Sequence, residues 1–89
     1  MSRDNAQRAA VTISLDALAR ETNPIRFGKG LDSYRRALGW SYRTMAEKAG
    51  LDSHMPVAGA CNGQDTLATS RAKMLRAVED AMLRGQARA

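Results

Sequence analysis

Between Ser14 and Leu83 the apolar residues recur three and four positions apart, in blocks separated by Asn-Pro, Gly or Asn-Gly. The first block, "SLDALARETNP", puts Leu15, Leu18 and Ala19 on one face of a short helix, with Ser14 as its N-cap and Asn23-Pro24 as its end. Val11, Ile13 and Leu15 also alternate, so the segment 10–22 leaves two readings open: that helix, which is preferred, or a short strand from Ala10 to Leu15 pairing with a second subunit. In the second block Leu31, Tyr34 and Leu38 stand at helical spacing. Gly28 and Gly30 are expected to hold its start back to Leu31, Gly39 to stop it, and Arg35 and Arg36 to lie on or beside the solvent edge.

A third block is bounded more sharply. Ser41 occupies an N-cap position, with Trp40 before it and Met45 four residues after, the spacing at which two apolar side chains staple a helix entry. Thr44 stands where a capping-box Glu would be. Gly50 follows as a left-handed C-cap, so the helix is expected over Tyr42 to Ala49. After it, Pro56 lacks the N–H of an interior helical residue, which places the cap of the next helix at Ser53, His54 or Met55. That helix, "PVAGAC", ends at Asn62-Gly63, where Asn62 acts as a helix-end cap rather than a free side chain. Asp65 or Thr66 then opens the longest helix, running to about Leu83 with Leu67, Leu75, Val78 and Met82 on one face.

These blocks describe an all-α bundle of four to five small helices. They divide the 89 residues into a loose arm at 1–10, one domain at 11–84 and a loose tail at 85–89. A core of this size hides only a little more than ~60% of the surface its unfolded chain exposes, so a dimer interface would add needed stability.

Charge narrows the class of partner. Fourteen Lys and Arg, 11 of them Arg, stand against nine Asp and Glu, a formal charge of +5 and a pI near 10.1. This balance favours a polyanion. The single Cys61 excludes an intramolecular disulfide, and with the lone His54 it leaves no ligand set for a structural zinc. Cys61 therefore reads as a small buried hydrophobe, Trp40 as core and Tyr34 as core with its hydroxyl at the edge. No apolar run is long enough to span a bilayer or to form a signal-peptide core, so a cytoplasmic protein is expected. Catalysis is not expected: any Ser-His-Asp set would need the sole His54, and "FGKG" at Phe27 to Gly30 lacks the length and preceding strand of a phosphate-binding loop. No cofactor is implied.

The run "LDSYRRALGWSYRTMAEKAGL" carries a resemblance. Leu31, Tyr34, Arg35, Gly39, Trp40 and Ser41, then Met45, Ala46, Glu47, Lys48, Ala49, Gly50 and Leu51, resemble the helix-turn-helix of the Cro and phage-repressor type (XRE-like). Each place has a physical reason: Ala46 is small where two helices cross, Gly50 allows positive φ in the tight turn, and Leu51 plugs the core beneath it. Further on, "VAGACNG" from Val57 to Gly63 is similar in outline to the end of a recognition helix of the lactose-repressor class. Ala58 and Gly59 replace a polar residue and an Arg there, and the preceding turn is one residue longer.

The resemblance implies a lambda-repressor-like fold and a homodimeric transcriptional regulator that reads double-stranded DNA, a repressor or autoregulator of phage, plasmid or mobile-element type. By that analogy a phosphate would meet Ser41, the backbone at Tyr42 and the Arg43 side chain at the start of one helix, while base edges would face Asp52, Ser53, His54, Met55 and Ala58 at the start of the next. Ser53 and His54 can donate or accept, whereas Met55 and Ala58 offer only apolar contact, as to a thymine methyl. Direct readout is thin, so specificity would draw on dimerisation through the C-terminal helix or N-terminal segment, on DNA shape, or on an arm carrying Arg3 and Arg8 into a groove. The alternative is a helical adaptor that binds another protein, such as a polymerase, a nuclease or a toxin, with the small residues Ala58, Gly59 and Ala60 as its packing surface.

Overall fold

The computed structural model describes residues 13–88, and the side chains through residue 85. The arm with Arg3 and Arg8, and the strand considered from Ala10, begin outside that range. Five helices follow one another, and no strand occurs among the described residues: α1 Leu15–Ala19, α2 Pro24–Ala37, α3 Tyr42–Ala49, α4 Met55–Cys61 and α5 Ala68–Arg88. The result is a small all-α bundle.

α1 forms as its Ser14 cap dictates, the hydroxyl accepting the Ala17 N–H at 3.1 Å. α2 departs from expectation. Instead of starting at Leu31 it starts at Pro24, with Asn23 Oδ1 accepting the Ile25 and Arg26 N–H groups at 2.9 and 3.1 Å. Asn23-Pro24 thus opens α2, an N-cap followed by proline in the first helical position, whereas α1 has already ended at Ala19 with Arg20 as its C-cap. Gly28 and Gly30 lie inside the helix and both are buried, because tertiary contact overrides their poor helix propensity. A Cβ on Gly28 would run into the backbone oxygen of Ala60 in α4, and one on Gly30 into the Leu18 side chain of α1. The two glycines are where α2 lets its neighbours come close.

The core is built from Leu18, Phe27, Leu31, Tyr34, Met45, Ala46, Val57, Ala60, Met74 and Val78. Each helix supplies part of it, and every buried side-chain polar atom among the described residues has a partner. Tyr34 sits as expected, buried with its hydroxyl donating to the Ile13 carbonyl at 2.5 Å. Burial raises the pKa of that hydroxyl above its usual value. Trp40 and Cys61 are half-buried against the core.

α5 starts at Ala68, later than Asp65 or Thr66. Those two residues fold onto their own turn instead, the Thr66 N–H donating to Asp65 Oδ1 at 3.1 Å. Leu67 precedes the helix and is 74% exposed, so it does not belong to the core face; Met74, Ala77 and Val78 form that face, with Leu75 at its edge. The helix also continues past Leu83 to Arg88. With 21 residues it is about 31 Å long. Met82 lies beyond the last fully buried residue and is exposed.

Candidate functional site

α3, a five-residue turn and α4 make the region that the sequence singles out, and local chemistry explains both halves. Ser41 Oγ accepts the Thr44 N–H at 3.0 Å and donates to Thr44 Oγ1 at 2.9 Å. Thr44 thereby takes up the hydroxyl proton of the cap, where a capping-box Glu would have reached back to the backbone. At the other end Gly50 has φ 71°; its N–H and that of Leu51 donate to the carbonyls of Glu47 and Ala46 at 3.1 and 2.9 Å. This pair of bonds satisfies two open carbonyls and turns the chain sharply toward α4. Met45 and Ala46 are buried beneath the turn, as expected of the positions where the helices cross.

α4 begins at Met55 with His54 as its N-cap. His54 makes no side-chain cap bond, so its imidazole is exposed and uncommitted to the helix end. Ser53 Oγ accepts the Met55 N–H at 3.0 Å, which leaves the hydroxyl proton of an exposed side chain to donate elsewhere. Met55 is 67% exposed, Asp52 is exposed and Ala58 half-buried. At the α3 entry Ser41 and Arg43 are exposed and Tyr42 is half-buried. Asn62 is spent as a cap, its Nδ2 donating to the Ala58 carbonyl at 2.7 Å. The inner side of α4, Val57 and Ala60, is fully buried. Ser53, His54 and Met55 thus share one exposed helix start.

One residue read as solvent-edge holds this region together. The Arg35 side chain is only 15% exposed; its Nη2 lies 2.8 Å from Asp32 Oδ1, its Nε donates to the same oxygen at 2.9 Å, and its Nη1 donates to the Trp40 carbonyl at 2.6 Å. Its guanidinium carbon also lies 4.6 Å from the centre of the Tyr42 ring. The second Asp32 oxygen pairs with the exposed Arg36 at 2.8 Å. Arg35 therefore ties the end of α2 to the chain that enters α3. The i,i+3 spacing of Asp32 and Arg35 ahead of the Gly39 turn was the available signal for it. Cys61, from the end of α4, completes the cluster. Burial pushes its thiol up to about 12, reinforced by the Asp32 carboxylate and partly offset by Arg35. A thiol so held is not a nucleophile at neutral pH.

A second arginine braces the opposite side. Arg71 of α5 lies with its guanidinium carbon 4.1 Å from the centre of the Phe27 ring and donates to the Glu21 carbonyl at 2.5 Å. Both braces use the planar fork and face of arginine, so Arg35 and Arg71 are structural cations. Arg43 and Lys48 on α3, by contrast, are exposed. No group of three metal-binding side chains occurs among the described residues, and no helix there is long and apolar enough to cross a membrane. No family model, curated protein or solved structure matches the chain.

Proposed function

We propose that the chain is a cytoplasmic double-stranded DNA-binding regulator of transcription that acts as a homodimer, with α3 and α4 as a helix-turn-helix. The observation that carries this reading is the start of α4: the His54 side chain caps nothing, and Ser53, His54 and Met55 are presented to solvent, while Val57 and Ala60 anchor the inner side of the helix. Such a helix can enter a major groove without disturbing its own core. The start of α3, with the Tyr42 N–H and the exposed Arg43, suits a phosphate oxygen at the groove edge. A net charge of +5 supplies attraction that does not depend on sequence. The small residues that favour a protein-binding adaptor are largely taken up inside the fold: Ala60 is buried, and the Gln64 side chain covers Gly59.

Titration against a labelled duplex from its own upstream region and against a scrambled duplex, over a range of salt concentrations, tests this. A steep salt dependence with preference for the native duplex is expected. Absence of binding to either duplex at low salt would overturn it.

A further inference from the structure

α5 carries a second face opposite the one that enters the core. Met74, Ala77 and Val78 point inward, whereas Ala72, Arg76, Glu79 and Leu83 are exposed and, at ~100° per residue, fall within an arc of roughly 60°. Half-buried Leu75 and exposed Met82 flank this stripe on one side, and exposed Lys73 and Asp80 on the other. A groove of about 600 Å³ between α1 and α5, lined in part by Leu15, Ala19, Ala72 and Leu75, runs beside it. Leu83 is 58% and Met82 37% exposed. The charges are segregated along the helix, Lys73 and Arg76 before Glu79 and Asp80, and none of the four forms an ion pair among the described residues.

We propose that this face docks a second copy of the chain, α5 against α5 in antiparallel orientation about a two-fold axis level with the Ala77–Val78 peptide bond. This rests on the homodimeric reading above and assigns it a surface. The charge order selects the occupant. In a parallel pair Arg76 would oppose Arg76 and Glu79 would oppose Glu79; reversing one helix brings each cation opposite an anion. With the axis at that level, Arg76 faces the second copy's Glu79, and Lys73 on the flank faces its Asp80. The same operation sets bulky Leu83 over the notch at Ala72 and brings Met82 beside Leu75 next to the groove. A two-fold interface must be complementary to itself, and a single axis position satisfies two charge pairs and two apolar pairs here. Packing the apolar pairs removes Leu83 and Met82 from water, and the charge pairs fix direction and register.

Sedimentation across micromolar concentrations, with far-UV circular dichroism to verify folding, provides the test. The wild-type chain is expected to be a dimer. Arg76→Glu and Glu79→Arg, both at exposed positions, should each weaken dimerisation at least tenfold by setting like charges together. Mixing these two variants should restore a dimer, because each then supplies the charge the other lacks, and the double variant R76E/E79R should dimerise alone. Leu83→Asp should be monomeric. A monomeric wild-type chain, single variants that dimerise as tightly as wild type, or a mixture that stays monomeric would each overturn the proposal. DNA titration of the same samples separates the two readings. A dimer that follows this charge pattern but binds no DNA leaves the interface standing and removes the regulator; DNA binding with dimerisation indifferent to these substitutions removes the interface alone.

Discussion

The guanidinium of Arg35 lies over the Tyr42 ring, 4.6 Å from its centre, while it also donates to the Trp40 carbonyl. One side chain from α2 therefore fixes both the turn and the first residue of α3. Removing it leaves the Trp40 carbonyl without that donor, and leaves Asp32 only its partner Arg36, whose side chain is 75% exposed. Arg35→Met should cost about 1.5–3 kcal/mol in urea unfolding. Arg35→Lys should recover less than half of that, since an ammonium cannot bind Asp32 and Trp40 in one plane. Full recovery by Lys would reduce the role of Arg35 to charge alone.

Glycine substitutions should divide sharply by position. Gly28→Ala pushes a methyl group into the Ala60 carbonyl, backbone that cannot swing aside, and should cost about 3 kcal/mol or prevent folding. Gly85→Ala on α5 meets open space and should stabilise by roughly 0.5–1 kcal/mol. Gly50→Ala also meets open space but requires φ 71°, and should cost about 1–2 kcal/mol. Thermal or urea unfolding of the three variants checks the order.

Alkaline pH should expose the thiol. The folded pKa of Cys61 is raised from 9.0 to about 12, so the stability linked to its proton is fully present below pH 9 and is lost as pH rises from 9 toward 12. The loss should approach at most about 1.4 kcal/mol per pH unit. Tyr34, also raised, begins to add its own loss only above pH 10. Wild-type stability should therefore fall between pH 9 and 10 more steeply than that of Cys61→Ala, and at pH 8 Cys61 should resist thiol reagents until the protein unfolds. Parallel slopes in the two proteins would contradict this assignment.

For DNA, Arg43→Glu should weaken binding to every sequence and lower the salt slope by about one or more, the signature of a lost phosphate contact. His54→Ala should instead alter preference among sequences, with about 1–3 kcal/mol of discrimination lost at one base pair. Equal loss on all duplexes for both variants would contradict a base-reading role for His54. Ser41→Ala should cost about 1 kcal/mol of stability through the lost cap.

Local signals accounted for α1, α3 and α4. Ser14, Ser41, Gly50, Pro56 and Asn62 each act within a few residues of themselves, so their chemistry is legible in a single chain segment. Long-range contacts were not. Gly28 and Gly30 looked like helix breakers because nothing nearby reveals that Ala60 and Leu18 arrive against them. Arg35 looked solvent-facing because its partner carbonyl lies across the Gly39 turn. In α5 only Val78 of the expected face is buried: Leu67 and Met82 are exposed, Leu75 lies at the edge, and Met74 takes the central core position. For the candidate site, the start of α4 at residues 53–55 followed from the Pro56 argument, whereas the bracing by Arg35 did not.

The contact between Gly28 and Ala60 makes α4 a fitting with a fixed shank and an exchangeable tip. Its seat is backbone against backbone, with Val57 alongside, so it demands nothing of the residues at 54 or 55 and only modest size at 58, while Ser53 keeps its bond to the Met55 N–H. Positions 54, 55 and 58 can be rewritten without renegotiating the fold. A handful of outward substitutions should thus leave the fold intact, and a library varied only there should contain mostly folded members.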